Sequence, residues 1–97
     1  MKHWLLLYDY APDYLERRGE FRPKHFAHAS EYVSRGELLA AGAFAEPADG
    51  AVLAFATDDE QVVAGFATND PYVKNGLVTS WRVRRWVMVI GEGAETV

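Results

Sequence analysis

The sequence contains no cysteine among its 97 residues. Without thiols the chain has no disulfide framework, no thiolate zinc site and no cysteine nucleophile. A protein that needs no disulfide suits a reducing compartment, and we predict a cytoplasmic location.

Long apolar runs and an excess of basic charge are also missing. The apolar run near the N-terminus stops at Asp9 without a small-residue cleavage site, so we do not expect a signal peptide. No apolar stretch approaches the ~20 residues that span a bilayer. The net charge of −4 provides no basic field that would attract nucleic acid. We therefore predict neither a membrane nor a nucleic-acid partner.

The residues that are present are typical of one globular domain. Hydrophobic residues make up 49% of the chain and aromatic residues 13%, a composition that supplies a core and excludes a disordered chain. The sequence has no glycine-rich phosphate loop, serine elbow or dinucleotide fingerprint. We predict a single domain over residues 1–97 and no cofactor.

Hydrophobic periodicity divides the chain into four strands and two helices. Their order, strand, helix, strand, strand, helix, strand, is that of a ferredoxin-like α+β domain with a four-stranded antiparallel sheet. A loop long enough to act as a lid is predicted before the first helix, and a loose tail after the last strand. The predicted segments are strands 3–10, 38–44, 51–56 and 78–90, a loop over 11–21, a first helix over 22–35, a second helix from Thr57 or Asp58 to just before Asn69, and a tail from Gly91.

The predicted strands are apolar on both faces, whereas helices can cover only one face of such a sheet. In the first strand, Leu6 and Tyr8 alternate with Leu5 and Leu7. A second face left in water would expose more than the few hundred Å² that monomers usually tolerate. Packing two sheets face to face removes this exposure. We therefore predict a homodimer formed through the open sheet face.

The strongest indication of chemistry is the pairing of His25 with Asp70. Pro23 suits the first turn of a helix, so His25 is predicted to lie in that turn, where free amides and the helix dipole favour a neutral imidazole. The ferredoxin-like connectivity brings the end of the second helix, with Asp70, to the same rim of the sheet. A histidine beside a carboxylate suits a general base with an orienting partner.

Simpler interpretations of these two residues stay open. His25 can be an ordinary helix residue, and Asp70 can be the cap of a short helix made rigid by Pro71. A metal site would recruit His28, three residues after His25 on the same helix face, with Asp9 or Asp13. We predict no metal, because such a second histidine is more often a half-exposed surface residue.

Three arginines near the end of the last strand, Arg82, Arg84 and Arg85, also have two interpretations. One of them could bind a carboxylate or ring oxygen of a ligand. The alternative is that they pair with acidic side chains at the sheet edge or the dimer interface.

Five short motifs are spread over nearly the whole chain. They are Arg22-Pro23-x-His25-Phe26, Gly36-x-Leu38-Leu39-x-Ala41-Gly42, Asp49-Gly50, Asp70-Pro71-Tyr72-Val73-x-x-Gly76-Leu77 and Val83-Arg84-x-Trp86. These motifs resemble those of the YCII-related (YciI-like) family and occur in the family's order. The chain departs from the family at Ala43 and Arg85, where the family usually has proline, and we expect Ala43 to alter the pocket wall.

The resemblance implies a ferredoxin-like dimeric α/β barrel with a His–Asp active site, which falls on His25 and Asp70. Relatives include an enzyme that dehydrochlorinates a chlorinated hydroquinone, although most members have no assigned reaction. We hypothesise a small-molecule lyase or isomerase of unknown substrate, with Arg22 and Tyr72 lining the pocket. The alternatives are a non-catalytic dimeric ligand-binding or accessory module and a purely structural domain with no pocket.

Overall fold

A computed structural model describes residues 1–95 of the chain as a four-stranded antiparallel sheet packed against three helices. The strand order is β2-β3-β1-β4, which confirms the predicted ferredoxin-like α+β fold. The elements, in chain order, are β1 (His3–Tyr10), α1 (Tyr14–Ser34), β2 (Leu38–Ala43), β3 (Gly50–Ala56), α2 (Glu60–Asn69), α3 (Pro71–Lys74) and β4 (Val78–Trp86).

The core lies between the sheet and the helices. Leu6 and Leu53 face each other on the paired strands β1 and β3, and both are buried because the helices cover that face of the sheet. Phe66 of α2 is fully buried and meets Phe55 of β3 edge to face, with ring centroids 5.3 Å apart. Such aromatic packing contributes stability beyond the area that it buries.

The first helix begins earlier than the sequence predicted, because α1 already starts at Tyr14 and includes most of the predicted 11–21 loop. Pro23 therefore lies inside the helix and not in its first turn. His25 is about three turns beyond the first residue of the helix, and the dipole acts only within the first turn. The predicted influence of the helix terminus on His25 is therefore wrong.

The last strand ends earlier than predicted, at Trp86. Trp86 pairs with His3, the first residue of β1, so the chain beyond it has no strand to pair with. The segment after Gly91 is not simply loose, because Glu95 donates its amide to the Met88 carbonyl at 2.7 Å and its carboxylate accepts from Arg85. The remainder of the predicted tail, residues 96–97, lies outside the described residues.

Within residues 1–95, no helix is both long and apolar enough to cross a membrane. The second face of the sheet, which we call the open sheet face, carries Leu5, Val52, Ala54 and Trp86 around a shallow apolar groove. Trp86 is 37% exposed there. The homodimer stays a prediction, and this is the surface on which it depends.

Candidate active site

Asp70 is a fully buried carboxylate at the junction of two helices. It ends α2 and caps α3, where its Oδ1 atom accepts a hydrogen bond from the Tyr72 amide at 3.0 Å. Pro71 follows at the first position of α3, where a missing amide proton costs nothing. A buried charge is tolerated only when hydrogen bonds replace its water, and Asp70 has further donors that do so.

One of these donors is Tyr8, which reaches Asp70 from the middle of the sheet. Its hydroxyl lies 2.7 Å from Oδ2 of Asp70, and both groups are buried. Burial, and then the charge of Asp70, raise the pKa of Tyr8 far above its usual value. The phenol therefore stays protonated, and the carboxylate stays supplied with a donor.

The third side chain is His25, whose Nδ1 lies 2.8 Å from Oδ1 of Asp70. An ionised carboxylate can only accept, so Nδ1 carries the proton and donates it to this bond. The imidazole also stacks on the Tyr72 ring, with centroids 3.9 Å apart and planes within 6°. These two contacts determine both the tautomer and the orientation of the ring.

The other imidazole nitrogen, Nε2, is left for chemistry. Within residues 1–95 it has no hydrogen-bond partner, and it is not fully buried. His25 itself lines a cavity of about 270 Å³. A histidine held by a carboxylate with its second nitrogen open is the arrangement of a general acid/base.

The cavity lies between α1 and the helix-facing side of the sheet. Its floor is made by small residues of β2 and β3, among them Ala41, Gly42 and Ala51, because short side chains leave space above the strands. Ala43, where the resemblance led us to expect an altered wall, is part of the lining. The remaining lining residues are Tyr8, Tyr10, Tyr14, Arg18, Arg22, His25, Phe26, Leu53 and Tyr72.

Three tyrosines at this cavity form a contiguous aromatic wall. Tyr10 stacks on Tyr14 with ring centroids 3.6 Å apart, and Tyr14 meets the edge of Tyr72 at 5.7 Å. Burial is the main cause that raises the pKa of Tyr10 and of Tyr72, and the neighbouring Tyr14 raises both further. The charge of Arg22 acts on Tyr72 in the opposite direction. The hydroxyls of Tyr10 and Tyr72 therefore remain protonated donors at neutral pH.

All four residues that the sequence singled out for the site, His25, Asp70, Arg22 and Tyr72, come together. His25, Arg22 and Tyr72 line the cavity, and Asp70 lies directly behind the imidazole. Their roles in catalysis and substrate binding stay predictions. A purely structural domain was expected to have no pocket, and the cavity disagrees with that alternative.

Sequence reasoning missed Tyr8, Tyr14 and Arg18. A signal for two of them was present, because Tyr14 and Arg18 precede His25 by eleven and seven residues, a spacing that keeps all three on one helix face. The prediction of a loop over residues 11–21 hid this pattern. Nothing in the sequence marked the hydroxyl of Tyr8 as a partner of Asp70.

Other candidate residues lie away from the cavity. His28 donates from Nε2 to the Phe66 carbonyl at 2.9 Å and packs on the Phe66 ring. Arg85 pairs with Glu95 at 2.7 Å, as expected for an arginine that neutralises an acidic side chain. Across the part of the chain that the structure describes, no three histidine or acidic side chains gather as a metal site would require.

The fold and this site define a ferredoxin-like α+β protein with a buried carboxylate behind a cavity histidine. The chain belongs to the YCII-related family, whose family model, described as the YCII-related domain, matches residues 1–87. No curated protein matches the chain at a significant level.

Among solved structures, the chain is similar to the 5-chloro-2-hydroxyhydroquinone dehydrochlorinase TftG of Burkholderia phenoliruptrix AC1100, in complex with 2,5-dihydroxybenzoquinone. The TM-score is 0.76 at 21% identity, covering 96% of this chain and 99% of the other. At this identity the likeness supports the fold alone.

Proposed function

We propose that this chain is a small-molecule enzyme in which His25 is the general acid/base and Asp70 orients it, with lyase- or isomerase-type chemistry. The observation that carries the proposal is the 2.8 Å bond between Nδ1 of His25 and the buried Asp70, which leaves Nε2 open beside the cavity. The oxygens of Asp70 also accept from Tyr8 and from the Tyr72 amide. These bonds hold the carboxylate in the position from which it orients the imidazole.

In the proposed reaction, Nε2 removes a proton from a C–H or O–H group of the bound substrate. The negative charge of Asp70 stabilises the imidazolium that results. In an elimination, the electron pair of the broken C–H bond forms the new double bond. The leaving group departs with the electron pair of the bond that joined it to carbon. In an isomerisation, the imidazolium returns the proton to a different atom of the substrate. Arg22 and Tyr72 bind and position the substrate.

The neighbouring enzyme TftG supports this reaction class by analogy. Its name describes the removal of hydrogen chloride from a hydroxylated ring compound, which is a lyase-type reaction. The substrate of the present chain is chosen by its own side chains. The loss of chloride from 5-chloro-2-hydroxyhydroquinone is the first reaction to assay, but we do not assign it to this chain.

The test compares the variants His25→Gln and His28→Gln, which make the same change three residues apart on α1. Chloride release is measured first. NMR in D₂O then follows the exchange of ring protons in a panel of hydroxylated ring compounds, which detects proton removal without knowledge of the product. We expect His25→Gln to lose about 10²–10⁴-fold in rate, the usual contribution of a general acid/base.

In the control His28→Gln, the side-chain amide can still donate to the Phe66 carbonyl, so we expect both the fold and turnover to be retained. An unchanged rate in His25→Gln would refute the role of the imidazole. If the wild-type chain binds these compounds but neither converts them nor exchanges their protons, the non-catalytic binding module is the better description.

A further inference from the structure

Two arginines, Arg18 and Arg22, lie four residues apart on α1 and both line the cavity. Residues at this spacing share one face of a helix. Each guanidinium is held near an aromatic ring, Arg18 at 5.9 Å from the Tyr14 centroid and Arg22 at 4.9 Å from that of Phe26. The two positive charges are therefore positioned by their own helix at the same cavity.

Within residues 1–95, four arginines have no carboxylate partner, Arg18, Arg22, Arg82 and Arg84, and of these only Arg18 and Arg22 line the cavity. Arg17, Arg35 and Arg85 all form ion pairs with acidic side chains. Within residues 1–95, neither Arg18 nor Arg22 lies within ion-pair distance of a carboxylate. An uncompensated pair of guanidinium groups at a cavity is an arrangement that favours an anion.

The rest of the lining supplies hydrogen-bond donors and no competing negative charge. Asp70 is not part of the lining, and its oxygens already accept from three donors. Tyr10 and Tyr72 keep their phenolic protons and can donate them. A bound oxyanion would meet donors and positive charge, whereas a cation would be repelled by both guanidinium groups.

The volume and the walls limit the size and shape of this anion. The cavity of about 270 Å³ exceeds the roughly 150 Å³ that accommodates benzene in an engineered cavity and is smaller than the ~300–1,000 Å³ of pockets for drug-sized ligands. Flat aromatic rings line it, including the stacked pair Tyr10 and Tyr14. These dimensions fit one substituted ring.

We propose that the cavity binds a flat organic anion of single-ring size, with its charged oxygen, a carboxylate or an ionised ring hydroxyl, held by Arg18 and Arg22. This inference rests on the proposed function of the same cavity and adds the charge and size of the substrate. The anion's oxygen lies at the arginines, and the body of the ring extends towards Nε2 of His25. Arg18 is thereby a specificity-determining residue.

The test is equilibrium binding of benzoate and benzamide, which have nearly the same shape but differ in charge. Isothermal titration calorimetry is carried out on the wild-type chain and on Arg18→Gln, Arg22→Gln and Lys24→Gln. Lys24 is an exposed cation of the same helix that does not line the cavity. We expect the wild type to prefer benzoate by about tenfold or more, the usual effect of a charge-assisted hydrogen bond.

Each arginine variant should lose most of this preference, and Lys24→Gln should retain it. High salt should weaken benzoate binding and leave benzamide unchanged. The proposal is wrong if benzamide binds as tightly as benzoate, if both arginine variants keep the preference, or if benzoate does not bind at about 10 mM. Because no turnover is measured, this result is separate from the His25→Gln test, and either idea can fail while the other survives.

Discussion

At the scale of single residues, the site depends on a negative charge that is shielded from water. Asp70 is fully buried, and its two oxygens accept from Tyr8, from His25 and from the Tyr72 amide. Leaving one of these donors or acceptors unpaired would cost about 1–3 kcal/mol. The network therefore couples stability to the orientation of the imidazole.

Asp70→Asn tests the charge while keeping the shape. The amide oxygen can accept from His25 and the Tyr72 amide, and the amide nitrogen can donate to the Tyr8 oxygen, so we expect the fold to be retained. The imidazolium loses its counter-charge, and we expect kcat to fall by about 10²–10⁴-fold. Steady-state kinetics and thermal melts measure the two effects.

The matched control is Asp59→Asn, since Asp59 caps α2 through a bond from the Gln61 amide and asparagine caps equally well. We expect normal turnover in this variant. Full activity in Asp70→Asn would mean that the carboxylate only supports the fold.

Tyr8 gives a prediction for alkaline pH, because burial and Asp70 raise the pKa of its hydroxyl. Because this pKa is raised in the folded state, the Tyr8 hydroxyl makes its full contribution to the free energy of unfolding below about pH 10, the pKa of tyrosine in the unfolded chain. The contribution is lost as the pH rises above that value. There the unfolded chain releases the proton while the folded chain keeps it. This loss amounts to about 1.4 kcal/mol per pH unit for one tyrosine.

Tyr8→Phe removes the contribution of the Tyr8 hydroxyl to stability. At neutral pH we expect the variant to be less stable by about 1–3 kcal/mol, since Asp70 loses a donor. Above about pH 10, its free energy of unfolding should fall less steeply than that of the wild type, so that the two curves approach each other. Urea unfolding at several pH values measures both curves, and parallel curves would contradict the prediction.

At the scale of elements, α1 carries more of the site than any other segment, since it provides Tyr14, Arg18, Arg22 and His25. It does so although Gly19 and Pro23 lie within it, and both residues weaken a helix. Packing of its aromatic face on the core stabilises the helix against these local preferences.

Two glycine-to-alanine changes separate helix propensity from backbone strain. At both Gly19 and Gly36, an added Cβ would meet no atom within 4 Å. Gly19→Ala should raise stability by about 0.5–1 kcal/mol, because alanine is the better helix former. Gly36→Ala should lower it by about 1 kcal/mol, because Gly36 has φ of +75° beyond the helix end. Denaturant unfolding measures both, and changes of equal sign would contradict the explanation.

At the scale of the whole molecule, the open sheet face is the surface that we expect a second copy of the chain to cover. Val52 lies there with Gly42 beside it on β2 and Leu7 beside it on β1, and the groove around it includes Leu5 and Trp86. Small side chains allow a second sheet to approach closely. An isologous contact would bring the same apolar surface from a second copy.

We therefore expect a homodimer at micromolar concentration, measured by size-exclusion chromatography with light scattering. Val52→Lys should weaken it by tenfold or more, because a charge would be buried in an apolar interface. The control Val33→Lys makes the same change on α1, at a side chain that is 57% exposed, and should leave the dimer intact. A wild-type monomer, or a Val52→Lys dimer of unchanged affinity, would refute this interface.

Much of the fold could be predicted from the sequence, because it depends on local patterns. The apolar residues on both faces of β1 indicated a buried strand at residues 3–10, and the order of elements was enough for the ferredoxin-like sheet. The start of α1 was missed because Pro23 resembles a helix start. The spacing of Tyr14 and Arg18 before His25 also fits a helix, and the burial of Tyr14 against the core shows that the helix begins there.

For the site, the sequence by itself singled out His25 and Asp70 as the side chains that we expect to carry the chemistry, and connectivity brought them to one region. Only the tertiary structure decided that they form a hydrogen bond across 45 residues of chain, that Tyr8 holds the other oxygen, and that Arg18 joins Arg22 at the cavity. The physical reason is that periodicity reports which face of an element is buried. The partner of a buried polar group depends on how whole elements pack.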